Sequence, residues 1–199
     1  MIVRKTTKKL RILDFDIENR PLSYWFDGRC TAEITAIACS WSDSDKVNVW
    51  LLGEDDPEAI LENFVEQYDQ ADIVTGHYIR KHDLPIINAH LFEYGINPLQ
   101  SKLTSDTKLD LMKMGSFSMS QEALAAYYDL PEPKHHMDQA AWRSANRLTA
   151  AGITKTRKRV VDDVIQHKAL RERLVADGVL GEPVWWESKG TPVIGSYTP

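Results

Sequence analysis

From Leu13 to Glu18 apolar and acidic residues alternate one for one, Leu-Asp-Phe-Asp-Ile-Glu. Successive side chains of a strand point to opposite faces, so this period of two predicts a strand with Leu13, Phe15 and Ile17 on a core face. Ile12, Asp14, Asp16 and Glu18 then share the other face, where lined-up carboxylates repel one another unless a cation sits there. "TAEITAIACSW" and "KVNVWLL", separated by the polar "SDSD", read as two further strands, and the short connections predict an antiparallel meander. "DDPEAILENFVEQYDQ" predicts a helix capped by Asp55 or Asp56, with Pro57 in its first turn and Ile60, Leu61, Phe64 and Val65 at helical spacing. "ADIVTGHY" reads as a short buried strand ending at Gly76, and "HDLPIINAHLFEYG" as a helix ending at Gly95.

Further on, "KLTSDTKLDLMKMG" predicts a short strand or turn and then a helical turn, with Asp106 as a cap or turn residue. "SMSQEALAAYYDL" predicts a helix capped by Ser118 or Ser120, and "PEPKHHMDQAAWRSANRLTAAG" a loop and a helix. The last strong helical pattern is "TKTRKRVVDDVIQHKALRERLVADG". Strands come first and then alternate with helices, which predicts an α/β class: a mixed sheet, the meander plus parallel strands, flanked by helices. One domain is expected over residues 1–180, followed by an irregular, Gly/Pro-rich tail over 181–199.

Composition narrows the class. The 199 residues are 43% hydrophobic and 27% charged, as in a soluble globular protein with a sizeable core. A formal net charge of -5 does not advertise nucleic-acid binding, although a metal site built of carboxylates would itself make the count negative. Cys30 and Cys39 are too few for a disulfide framework or a zinc site and read as buried free thiols, which fits a reducing cytoplasm. No apolar run reaches the roughly 18 residues of a membrane span, and the basic start "MIVRKTTKKLR" lacks the apolar segment of a secretory signal.

Hard divalent cations need several oxygen ligands converging from different elements. Asp16 and Glu18, on one strand face, can share one such site, with Asp14-x-Asp16 an alternative pair and Asp14 otherwise a strand-end acid. Asp83 opens a helix directly after a strand and turn, where the helix dipole favours a carboxylate. In the last helix Val160, Val164, Leu170 and Leu174 mark the buried side, which turns Asp163 inward, one turn from His167, and leaves Asp162 to solvent. Arg157, Lys158 and Arg159, one turn before Asp163, are placed to hold a phosphate backbone or are simply a wet helix face. Tyr24, Trp25 and Phe26 could stack on a terminal base or cover a sheet edge. His77 and His82 read as structural or phosphate-facing, and His135-His136 lacks further ligands at zinc spacing.

"DFDIEN", "GHYIRKHDLPII" and "VVDDVIQHKALRERL" resemble, in order and spacing, the three motifs of the DEDD 3′–5′ exonucleases, and most of all the proofreading domains of family B DNA polymerases. Asp16-x-Glu18 matches the first motif, Gly76, Ile79, Asp83, Leu84 and Pro85 the second, and Asp163-Val164 the third. The resemblance covers roughly residues 10–175. It implies a ribonuclease-H-like fold and a free-standing exonuclease that releases nucleoside monophosphates from a nucleic acid 3′ end, DNA rather than RNA. The setting expected is the cytoplasm of a bacterial or phage-infected cell, with no membrane partner.

It further implies two divalent cations, Mg²⁺ or Mn²⁺, held by Asp16, Glu18, Asp83 and Asp163, which would polarise the scissile phosphate and activate a water. Tyr78, Arg157, Lys158 and Arg159 are the expected substrate contacts. Where the family carries a Tyr or His four or five places before the last Asp, this chain has Arg159 and Lys158, and Tyr78 and His82 replace the usual Asn and aromatic of the second motif. For the general base three candidates remain: His167, which is preferred because it can titrate near neutral pH; Lys158; and His135 or His136. The departures also motivate an alternative, a catalytically weak nucleic-acid-binding module of the same fold. An RNA-trimming exoribonuclease is a third.

Overall fold

The computed structural model describes residues 9–22, 30–113, 115, 120–130 and 137–188. The alternating segment forms β1 (Ile12–Pro21), followed by β2 (Ala32–Trp41) and β3 (Val47–Leu51), paired antiparallel in sequence order. Helix α1 (Pro57–Gln70) starts at Asp56, whose carboxylate accepts from the backbone of Glu58 and Ala59, with Pro57 in the first turn where no amide hydrogen is needed. Then come β4 (Ile73–Gly76), α2 (Asp83–Glu93), β5 (Lys102–Asp106), α3 (Thr107–Met112), α4 (Gln121–Tyr127) and α5 (Gln139–Asn146). The chain closes with α6 (Ala150–Ala176) and β6 (Val184–Trp186).

The six strands lie in the order β3-β2-β1-β4-β5-β6. β4 pairs parallel to β1 and β5 parallel to β4, while β6 returns antiparallel to β5. This mixed sheet with helices on both faces is an α/β, ribonuclease-H-like fold. The tail read as irregular is thus corrected in part: Val184–Trp186 adds a strand at the sheet edge. α6 starts one turn earlier than its apolar pattern suggests, because the Thr149 hydroxyl accepts from Gly152 N–H and caps it there.

Pairing register explains why the two sheet faces differ. On the core face Phe15 sits beside Cys39 and Ile17 beside Ile37, and these pack against Ile60, Leu61 and Phe64 of α1 and Leu84, Ile87 and Leu91 of α2. On the opposite face Asp14 lies beside Ser40, Asp16 beside Ala38 and Glu18 beside Ala36. Those small neighbours let α6 settle close, with Val160 and Val164 on Ala36, Ala38 and Leu51. The apolar half of the α6 contact is therefore on β2 and β3, and its polar half falls on β1. Both cysteines are free and buried. No helix among the described residues is long and apolar enough to cross a membrane.

Candidate metal centre

Helix α6 crosses the acidic face of β1 running against it, and the two elements keep step. Arg171 and His167 meet Asp14, Asp163 clusters with Asp16 and Glu18, and Arg159 meets Glu18. Four residues of helix advance about 6 Å and two residues of strand about 6.6 Å, so groups repeating at these intervals stay opposite one another. A bulge between Glu18 and Asn19 ends the regular β1–β2 pairing just past the last acid.

Asp16, Glu18 and Asp163 each present an oxygen within 4.8 Å of the other two. Asp163 is buried, and Asp16 and Glu18 are half-buried. Gln121, at the start of α4, donates its side-chain amide to the Asp163 carbonyl at 3.0 Å and to Gln166 Oε1 at 3.3 Å, fixing α6 at the height of the cluster. The Arg159 guanidinium lies over the same carboxylates. Its Nε donates to Glu18 Oε1 at 2.6 Å, and its Nη2 stands 3.7 Å from Asp163 Oδ2. The ring of Trp142, from α5, flanks it with its centroid 5.2 Å from the guanidinium carbon.

Asp83 approaches from the other side of β1. β4 pairs with β1 only as far as Asp14 and Thr75, so the β1 backbone beyond that point needs another partner. Asp83 Oδ1 supplies it, accepting from Ile17 N–H at 3.2 Å. Burial pushes the Asp83 carboxyl up to about 7; backbone hydrogen bonds oppose this, and the charges of Asp106 and Glu18 add to it. Its carboxylate is electrostatically linked to Glu18 but lies outside the cluster in which Asp16, Glu18 and Asp163 converge.

The loop that delivers Asp83 is tightly held. A Cβ on Gly76 would lie 2.7 Å from Phe15 O and 2.3 Å from an Ile79 methyl, so only glycine lets the strand end pass this close. Tyr78 adopts φ 78°, a left-handed conformation, and its N–H donates to Asp106 Oδ1 at 3.0 Å while Arg80 N–H donates to Asp106 Oδ2 at 3.0 Å. Asp106 is indeed the α3 cap, accepting from Lys108 and Leu109, but its second task of bracing the 78–80 loop was not visible in the sequence.

The remaining sequence candidates disperse. His167 is buried with its Nδ1 3.1 Å from Asp14 Oδ1, and its Nε2 makes no hydrogen bond among the described residues. Its Nδ1 is thus engaged by Asp14, one helical turn from the clustered Asp163. Lys158 pairs with Asp162 at 2.7 Å along the exposed side of α6, and Arg157 pairs with Glu54. The Tyr78 ring stacks under the Lys108 ammonium, 4.2 Å away. His77 bonds Thr107 and His82 bonds Asn19. Tyr24, Trp25, Phe26, His135 and His136 lie outside the described residues.

Asp14 was read as a strand-end acid; it is fully buried and accepts from Arg171 Nε at 2.8 Å and Nη2 at 3.0 Å. Burial alone would raise its pKa, but the bonds from His167 and Arg171 outweigh that and hold it below the ordinary 3.8. The one available signal was Arg171 falling two helical turns after Asp163 on the inward side of α6.

No protein-family profile matches the chain. No curated protein sequence matches it either. Among solved structures it is similar to the family B DNA polymerase of the hyperthermophilic archaeon Pyrobaculum calidifontis, with a TM-score of 0.67 and 17% identity. The likeness covers 84% of this chain and 25% of the polymerase, so the chain spans about a quarter of that protein's length. At this identity the likeness is one of fold.

Proposed function

We propose that this chain is a metal-dependent 3′–5′ exonuclease of the DEDD type, hydrolysing the terminal phosphodiester of DNA to nucleoside monophosphates. The observation that carries this reading is the convergence of Asp16, Glu18 and Asp163 within 4.8 Å from a strand and a helix some 145 residues apart in the chain. A ligand set made entirely of carboxylate oxygens suits hard cations, Mg²⁺ or Mn²⁺. Two such ions, when bound, would polarise the scissile phosphate and lower the pKa of the attacking water.

The chain's own residues do the rest. Asp83, tethered to Ile17 N–H and close enough to Glu18 for the two charges to interact, is the fourth acid of this reading. Gln121 and the Asp14–His167–Arg171 trio hold α6 in register, so that Asp163 stays opposite Asp16. His167 is a positioning residue in this account. Lys158, on the exposed side of α6, can reach a phosphate backbone by giving up its surface pair with Asp162.

The Arg159–Glu18 bond favours a second reading, a nucleic-acid-binding module that hydrolyses weakly, because the cluster already has a cation of its own. Incubating the chain with 3′-labelled single-stranded DNA and RNA, in Mg²⁺, Mn²⁺ or EDTA, tests both. The exonuclease reading expects metal-dependent release of mononucleotides, faster from DNA and lost in Asp16→Ala. Binding in EDTA with ends left intact in Mn²⁺ supports the module. A protein that neither binds nor cuts contradicts both.

A further inference from the structure

Three gathered carboxylates repel one another, and in this fold the protein supplies the compensating charge from within. Arg159 precedes Asp163 by four residues, which brings its side chain onto the same helix face one turn away. Its guanidinium bonds Glu18 at 2.6 Å and reaches to 3.7 Å from Asp163, so one side chain addresses acids from both the strand and the helix. Neither partner is freely solvated: the side chains of Arg159 and Glu18 are 15% and 12% exposed, where a charge-assisted bond is stronger than at the surface. A divalent ion entering the cluster needs the same oxygens.

We infer that Arg159 is the resident counter-ion of this site, seated on Glu18 when no divalent cation is bound and displaced when one enters. The inference rests on the metal reading above. Uptake is then an exchange of one cation for another, and apparent metal affinity is reduced by the free energy of the bond that must open. The Trp142 ring, already 5.2 Å from the guanidinium carbon, gives the released group a surface to rest on. From there its planar fork can take two oxygens of a phosphate on the incoming strand. Metal and nucleic acid therefore help each other in, because each favours the arrangement in which Arg159 has left Glu18.

Mn²⁺ binding to the full chain, read by the electron paramagnetic resonance of free Mn²⁺, tests this with Arg159→Gln and Asp16→Asn beside the wild type. Arg159→Gln is expected to bind Mn²⁺ about tenfold more tightly, equivalent to about 1.4 kcal/mol. It is also expected to melt below the wild type in EDTA and to gain more than the wild type from added Mn²⁺. A merely structural arginine would lower melting in both conditions and leave Mn²⁺ affinity unchanged. Wild-type or weaker affinity in Arg159→Gln, with binding lost in Asp16→Asn, overturns the inference and leaves the metal site standing. Tighter binding without nucleotide release by either form upholds the inference and contradicts the exonuclease reading. No Mn²⁺ binding by any form overturns both. Should Arg159→Gln not fold, Arg159→Met, which removes the charge and keeps the apolar stem, must bind Mn²⁺ more tightly than the wild type; unchanged affinity there overturns the inference.

Discussion

Asp14 and Glu18 flank Asp16 on one strand face and meet the same helix, yet they have opposite characters. Asp14 is sealed, with His167 and both arms of Arg171 directed at its two oxygens. Glu18 sits at the rim, gathered with Asp16 and Asp163 and bonded by the Arg159 guanidinium. The difference lies in how the carboxylates are grouped. At the deep end a single acid is enclosed by His167 and Arg171 and becomes a fixed part of the packing; at the rim three acids converge, the arrangement that a divalent cation would suit. One alternating pattern thus yields a rivet and a socket.

The largest expected effect breaks the rivet. Arg171→Met leaves the Asp14 carboxylate buried with His167 alone, and the loss of stability should be about 3–5 kcal/mol by denaturant titration. The double variant Asp14→Asn/Arg171→Met should recover much of that, since no buried charge is left. A single-variant loss below about 1 kcal/mol would mean that the deep end does not anchor α6.

The Asp83 carboxyl, which neighbours the socket, should respond in the opposite sense. Asp83 has its folded pKa raised to about 7 by burial, so the folded state holds its proton more tightly than the unfolded chain does. Stability then falls as pH rises from the ordinary carboxylate value of 3.8 towards 7, and the full penalty is present above 7. Asp83→Asn keeps an acceptor for Ile17 N–H and removes the penalty. The metal-free variant should be more stable than the wild type by about 2–4 kcal/mol at pH 8, shrinking towards nothing near pH 4, while exonuclease activity is lost. Parallel stability curves for the two proteins across that range would contradict the assignment.

Asp14 sharpens the contrast at low pH. Its folded pKa is depressed, so its contribution is present above its unfolded value and is lost as pH falls through the folded one. Acid titration of Asp14→Asn against the wild type should show curves that converge only below pH 3.8. The smallest effect belongs to the exposed Arg157–Glu54 pair: Arg157→Ala should change stability by no more than about 1 kcal/mol, and less at high salt.

Much of this was legible in local pattern. The alternation of β1, the caps at Asp56 and Ser120 and the inward turn of Asp163 each follow from a few neighbouring residues. What escaped was pairing at long range. Nothing near Asp14 announces that Arg171, 157 positions later, will neutralise it, and nothing near His167 announces that its ring will bond Asp14. Asp106 shows the cap in its own sequence, but the loop it braces lies 26 to 28 residues earlier. β6 is three residues long, and only its partner β5 makes a strand of it.

The most direct test of the central claim is the anomalous scattering of Mn²⁺ in crystals of this chain. The account predicts a peak within ligand distance of Asp16, Glu18 and Asp163, with the Arg159 side chain turned away from Glu18. A map without such a peak at saturating Mn²⁺, and with Arg159 still bonded to Glu18, would contradict it.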